Sequence, residues 1–153
     1  MTLASSRPTL FICLILAVIV GCAGVKPPVA QIQISASSEL NPDGQGRPSP
    51  VVLQIYELRS VNAFNNARFD ELYENSASTL GDDLVNQQEV VIAPGETREL
   101  ATLTTEMDVR FLGFLAAYRD TDNAVWRTSY QLLPGEAVDI NVQLDRLAIT
   151  VSQ

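Results

Sequence analysis

Apolar and polar residues alternate with a period of two over much of the chain, the pattern of strands that bury one face. Ile32, Ile34 and Ala36 alternate with Gln33, Ser35 and Ser37, and Val138, Ile140, Val142 and Leu144 alternate with Asp139, Asn141 and Gln143. Beyond Leu144 the apolar set changes parity to Leu147, Ile149 and Val151, which marks either a two-residue turn at Asp145-Arg146 or a bulged continuous strand. Val51 to Arg59 is apolar at Val51, Leu53 and Ile55 and then at Tyr56 and Leu58. That change of phase predicts a bulge or a sheet corner near Tyr56. Phe111 to Tyr118 is apolar throughout, as expected of a central strand covered on both faces. Pro94-Gly95 and Pro134-Gly135 each separate strand-like runs, and Pro with its fixed φ followed by Gly with a positive φ predicts type II turns.

One segment follows a helical period instead. Phe69, Leu72 and Tyr73 fall at i, i+3 and i+4, with Asn65 or Asn66 as the expected cap and Asp70-Glu71 in the first turn, where the helix dipole favours acids. Gly81 then separates a second short run, Asp82 to Asn86, so two short helices are predicted. No long helical crossover links the strands, and the sheets are therefore expected to be antiparallel throughout. The fold class predicted is mainly β: an antiparallel β-sandwich of about eight strands with a small helical insertion, spanning residues 31–153.

The first residues belong to a different pattern. Leu10 to Val20 is an apolar run of eleven with Arg7 as the only charge before it, too short for a membrane span of about 20 residues and the right size for the core of a secretory signal. The run closes on Ile19-Val20-Gly21-Cys22, which resembles a bacterial lipobox. In such proteins the chain is cut before the Cys and the Cys is acylated, which implies a signal peptide over 1–21 and acyl chains on Cys22. An ordinary signal sequence would leave Cys22 a bystander, and the full four-residue match argues against it. Three acyl chains hold a protein at a bilayer essentially permanently, where a single chain at about 0.8 kcal/mol per buried CH₂ does not. Residue 23 is Ala, not the Asp that retains such lipoproteins at the inner membrane, so the expected location is the outer membrane, facing the periplasm. Residues 22–30 read as a lipidated tether, with Pro27-Pro28 and no periodicity; the nine residues between Cys22 and Ile32 would reach about 30 Å.

Composition excludes more than it suggests. Ten Lys and Arg face 18 Asp and Glu for a net charge of -8, a balance that repels nucleic acid. Removal of residues 1–21 leaves 132 residues with nine cations against 18 acids, ample for one core. There is no His, so Ser-His-Asp chemistry is impossible, and Cys22 would be the only thiol of the mature chain. The acidic pairs Asp70-Glu71, Asp82-Asp83 and Asp120/Asp122 are the minimum equipment for glycoside hydrolysis, but each sits where solvated acids are expected. Asp120-Thr-Asp122-Asn123 opens like a calcium loop, yet Val125 and Gln131 stand where Gly and Glu are required, and a polar hairpin loop is the plain reading. Gly44-Gln45-Gly46 is not followed by a helix and is no phosphate loop. Trp126, flanked by strand-forming residues, reads as core. Neither catalysis nor a cofactor or metal is expected.

The unusual connection is Asn41 to Pro50, NPDGQGRPSP, ten residues between two strands where two would suffice. Three prolines restrict its conformations and so lower the ordering cost of binding a partner. This makes Asn41, Pro42, Asp43, Gly44, Gln45, Gly46, Arg47, Pro48, Ser49 and Pro50 the candidate partner-binding residues, with Asp43, Gln45 and Arg47 expected to point outward.

These residues carry a resemblance. LNPDGQGRPSPVVLQIYEL from Leu40 to Leu58, Ala63-Phe64, FDELY from Phe69, LGDDL from Leu80, APGE from Ala93, AAYR from Ala116 and Trp126-Arg127, behind a lipobox, resemble the TssJ (SciN, VasD) family. These are outer-membrane lipoproteins of the type VI secretion system. The resemblance implies a transthyretin-like β-sandwich and a non-enzymatic assembly role: binding the periplasmic domain of TssM within a TssJ-TssL-TssM complex that spans the envelope. It also implies that the Asn41 to Pro50 loop contributes to the TssM contact, although Arg47 to Pro50 could instead shape the approach to the second strand. Two other readings remain open from the residues. A carrier for a small apolar ligand would need a cavity lined by Phe111, Phe114 and Trp126, and a cell-wall hydrolase would need Asp82 or Asp83.

Overall fold

In the computed structural model, which describes residues 26–153, the alternating runs become nine strands: β1 (Val29–Ala36), β2 (Val51–Leu58), β3 (Leu84–Ile92), β4 (Thr97–Glu99), β5 (Leu103–Thr104), β6 (Phe111–Ala116), β7 (Arg127–Gln131), β8 (Ala137–Leu144) and β9 (Ile149–Ser152). The expected signal sequence, Cys22 and the start of the tether lie outside the described residues. One sheet has the order β4-β1-β8-β9, with β5 also paired to β1, and the other has the order β3-β2-β6-β7. Val29 and Ala30, assigned above to the tether, already belong to β1, where Ala30 is fully buried.

The sandwich is antiparallel at every strand pair except one. β1 and β8 run parallel over eight residue pairs, from Val29↔Ala137 to Ala36↔Leu144, which corrects the expectation of sheets without parallel pairing. A parallel pair needs a long crossover. Here the crossover is not a helix: it is the entire second sheet, which the chain builds between β1 and β8.

The inward faces explain the sequence pattern. Ile32 and Ile34 of β1, Val51, Leu53 and Ile55 of β2, Leu112 and Phe114 of β6, and Ile140 and Val142 of β8 share one buried cluster between the sheets. Tyr56 and Leu58 project from the other face of β2 into a second cluster with Phe64, Leu72, Leu80 and Leu115. The change of phase near Tyr56 is thus a strand that keeps its period of two while becoming covered on both faces. A bulge does occur as well, between Glu57 and Leu58 against β3. β6 is the doubly covered central strand that its uniform apolarity predicts. Gly113 is required there, because a Cβ would lie 3.0 Å from Cε2 and Cζ of the buried Phe64 ring.

The helical insertion consists of α1 (Asn62–Asn66) and α2 (Phe69–Leu80), followed by one 3₁₀ turn at Gly81–Asp83. Asn65 and Asn66 end α1 and do not cap α2; the cap is Arg68, whose backbone N–H donates to Glu71 Oε2 at 2.8 Å. The second predicted helix, Asp82 to Asn86, is also corrected. Its acids sit in the 3₁₀ turn, and from Leu84 the chain is strand. Arg127 of β7 clamps the insertion to the sheet, donating from Nη1 to the carbonyls of Phe64 (2.9 Å) and Ala67 (2.6 Å). Among the described residues no helix is long and apolar enough to cross a membrane.

Both Pro-Gly turns form as expected, with Gly95 at φ 73° and Gly135 at φ 75°, closed by Glu96 N–H to Ala93 O and Glu136 N–H to Leu133 O. The β8–β9 connection is a hairpin with four turn residues, since Leu144 pairs with Ile149. Val125 bonds both Leu147 and Ile149 through its backbone and so ties the edges of the two sheets together.

Candidate functional site

The connections β1–β2, β3–β4, β6–β7 and β8–β9 all emerge at one end of the sandwich, opposite the end where the chain enters β1 at Val29. The β1–β2 connection, residues 37–50, is the longest at this end, and its Asn41 to Pro50 loop is wired internally.

Asn41 is the strut at its base. It is 2% exposed and sits at φ 48°, the left-handed region that Asn tolerates better than other side-chain-bearing residues. Its Nδ2 donates to Pro50 O at 2.7 Å, which closes the loop, and its Oδ1 accepts the backbone N–H of Arg119 at 2.8 Å, which ties the loop to the β6–β7 connection. Its own N–H donates to Arg146 O in the β8–β9 turn at 3.0 Å. Ser49, also buried, donates its N–H to Leu40 O at 3.0 Å.

Asp43 organises the tip. Its Oδ1 accepts the N–H groups of Gln45 (2.9 Å) and Arg47 (3.0 Å), and its Oδ2 accepts from Arg47 Nε and Nη2, both at 2.8 Å. The backbone closes around it, with Gly46 at φ 78° donating to Asp43 O. The Arg47 N–H, then the Arg47 side chain and the Gln45 N–H, hold the Asp43 carboxyl below its ordinary value, with a smaller pull from Arg119. Gly44, Gln45, Gly46, Arg47, Pro48 and Pro50 are exposed, and Pro42 is half-buried. Of the ten candidate residues, Gln45 and Arg47 point outward as expected, Asp43 is half-buried in loop wiring, and Asn41 and Ser49 face inward.

Two neighbours complete this end. Tyr118 is buried, its hydroxyl 2.7 Å from Ala148 O and 3.2 Å from Asp145 O; burial, with a smaller push from Asp145, moves the phenol well above its ordinary value. Arg119 and Arg146, both exposed, border a cleft of about 320 Å³ together with Asp43 and Asp120. Sequence reasoning did not assign a role to either arginine. Arg119 was already visible in the AAYR run, but Arg146 stands alone, and only the folded arrangement of three separate connections brings it to the cleft.

The other candidate chemistries disperse. The acids Asp70, Glu71, Asp82, Asp120 and Asp122 are exposed, with Asp120 accepting both bonds from Asn123 Nδ2 in a polar hairpin loop. No group of acids, His or Cys that could hold a metal occurs among the described residues. Phe111 and Phe114 sit on opposite faces of β6, so they cannot line one internal cavity with Trp126. Trp126 is half-buried, packed edge-on to Phe69 with ring centres 5.3 Å apart and beneath the Arg127 guanidinium at 4.6 Å.

A two-sheet sandwich with a small helical insertion is the architecture of type VI secretion lipoproteins of known structure. The crystal structure of the lipoprotein TssJ1 from Pseudomonas aeruginosa matches with a TM-score of 0.80 and 37% identity, covering 82% of this chain and 95% of that one. Serratia marcescens Lip, described as a membrane bound component of the same system, shares the fold at 23% identity with a TM-score of 0.76, covering 83% and 97%. A chain in the structure described as the TssM C-terminal domain from EAEC also shares it, at 21% identity and a TM-score of 0.68, covering 82% and 98%. By sequence, no curated protein matches at a significant level. The profile of the family described as type VI secretion lipoprotein, VasD, EvfM, TssJ matches residues 28–147, and the chain belongs to that family.

Proposed function

We propose that this lipoprotein is an outer-membrane-anchored assembly component of the type VI secretion membrane complex. In this reading residues 1–21 are a signal peptide, Cys22 carries the acyl chains, and the sandwich docks the periplasmic domain of TssM through its loop end, within a TssJ-TssL-TssM complex. Ala23 supports the outer membrane as the destination. The exposed residues Gln45 and Arg47 form the centre of the docking surface, Pro42 and Pro48 frame it, and Asn41, Asp43 and Ser49 hold its shape. The protein acts by binding, without a cofactor and without turnover.

One observation carries the reading. The chain enters β1 at Val29, and the wired loop leaves β1 after Ala36, so the tether and the loop occupy opposite ends of an eight-residue strand about 25 Å long. A lipid anchor ahead of Val29 therefore presents the loop away from the membrane. The six residues between Cys22 and Val29 would span about 20 Å when extended, which keeps the domain near the bilayer.

The test is binding of the soluble domain, Ala23 to Gln153, to the periplasmic domain of the TssM encoded with it. Saturable binding is expected, and replacement of Pro42 to Pro48 by a short Gly-containing turn, with Asn41 and Ser49 retained, should weaken it while leaving folding intact. Absence of binding between two folded partners would overturn the proposal, and unchanged affinity of the loop variant would remove the loop from it.

A further inference from the structure

The cleft between the β1–β2 loop and the β6–β7 and β8–β9 connections has an uneven account of donors and acceptors. Two acids border it, and both are engaged elsewhere. Asp43 already accepts four bonds within its own loop, and Asp120 holds the Asn123 amide through both oxygens at 3.0 Å. Two arginines border it as well. The Arg119 guanidinium has no hydrogen-bond or ion-pair partner among the described residues, where only its backbone N–H is bonded. Arg146 reaches Glu39 only at 3.7 Å, between side chains that are 55% and 69% exposed, a geometry that solvent screens heavily.

The cleft thus presents unused guanidinium donors beside Asp43, whose acceptor sites are filled, and Asp120, whose two oxygens both hold the Asn123 amide. An arginine fork matches a carboxylate with two parallel bonds, and in a chain of net charge -8 this cleft is bordered by two such forks, Arg119 and Arg146. The backbone around the forks is fixed: Asn41 Oδ1 holds the Arg119 N–H, and the Asn41 N–H holds Arg146 O. Both side chains therefore start from anchored positions, which reduces the ordering lost on binding.

We infer that the Arg119–Arg146 cleft is a receptor for an acidic side chain, an Asp or Glu on the polypeptide partner that docks at the loop end. The inference rests on the proposed docking at that end and adds the chemistry of the partner's contact. The occupant is a polypeptide carboxylate and not a lipid phosphate, because the cleft lies at the end of β1 opposite the chain entry, on the side that a lipid anchor ahead of Val29 would turn away from the membrane. It extends the docking surface from one loop to three connections. It also assigns the cationic side of the contact to residues outside Asn41 to Pro50.

The experiment compares the soluble domain with R119A/R146A in binding to the TssM periplasmic domain at low and high salt, with thermal unfolding as the control for folding. The expected result is affinity reduced by about tenfold or more at low salt, with the difference narrowing as salt screens the contact. A variant with unchanged folding, unchanged affinity and unchanged salt dependence would overturn the inference while the loop-docking proposal stands. If the unaltered domain fails to bind TssM, the docking proposal fails, and the cleft is judged by a second measurement. The Arg side-chain N–H resonances of the domain are followed during titration with a short Glu-rich peptide and, separately, inorganic phosphate. Shifts produced by the peptide alone and absent from R119A/R146A support the inference. No shifts, or equal shifts with phosphate, overturn it.

Discussion

Asn41 and Arg119 stand 78 positions apart in the chain and are joined by a 2.8 Å bond from the Arg119 N–H to Asn41 Oδ1. The same amide closes its own loop onto Pro50 O at 2.7 Å. One buried side chain therefore sets both the shape of the β1–β2 loop and its position relative to the β6–β7 connection.

Asn41→Ala should remove both bonds, leave a backbone donor and acceptor unpaired, and place Ala in the left-handed region. The expected loss is about 2–4 kcal/mol of stability, summing unmet hydrogen bonds and left-handed strain. Asn41→Gly relieves the strain alone and should fall between. Urea unfolding of the three proteins gives the order, and equal midpoints for Ala and wild type would show that the strut bears no weight.

The Asp43 carboxyl should titrate below its ordinary value of 3.8. Because the folded value lies below the unfolded one, the contribution of this group is complete above about 3.8 and is lost as pH falls through the folded value. NMR titration of the carboxyl carbon should follow this course, with the Gln45 and Arg47 amides shifting together with it. Asp43→Asn should abolish the coupled shift; a carboxyl that titrates at or above 3.8 would contradict the wiring.

Gly113→Ala should push against the Phe64 ring, whose Cε2 and Cζ would lie 3.0 Å from the new Cβ. Overpacking of this kind costs about 1–3 kcal/mol. Phe64→Leu in the same chain should recover part of that loss, so the two substitutions are expected to be non-additive in denaturant unfolding. Simple additivity would separate Gly113 from the packing of the insertion.

Arg127→Met keeps an aliphatic stem beside Trp126 but deletes both bonds to the carbonyls of Phe64 and Ala67. A loss of about 2 kcal/mol is expected for charge-assisted bonds. Limited proteolysis should then cut first within the insertion, near Ala67 and Arg68. Cleavage elsewhere at an unchanged rate would show that the insertion is held by its apolar contacts alone.

Much of this architecture was legible residue by residue. The alternation from Val138 to Leu144, the uniformly apolar β6 and the two Pro-Gly turns each report a local condition, and each formed as expected. The parallel pairing of β1 with β8 was not legible, because period two states which face is buried and says nothing about the neighbouring strand. Asp82-Asp83 misled for a related reason: acids favour the start of a 3₁₀ turn as they do the start of a helix, and the strand pairing of Leu84 onward overrides the local preference. Within the site, the length and proline content of the loop marked it from sequence. The inward roles of Asn41 and Ser49 depended on partners as distant as Arg119 and Leu40, and no spacing encodes such contacts.

The parallel registration of β1 beside β8 also has a mechanical meaning. A pull on the chain ahead of Val29 acts along the axis of β1 and toward the end away from its loop, so its eight pairings with β8, and those with β4 and β5 on the other side, are loaded together in shear. Peeling would break them one at a time. A domain held by its amino terminus and gripped at the loop end of β8 would therefore transmit tension through a strand that is paired along both of its edges, and single-molecule pulling between Val29 and Leu144 should register a higher rupture force than pulling across the β8–β9 hairpin.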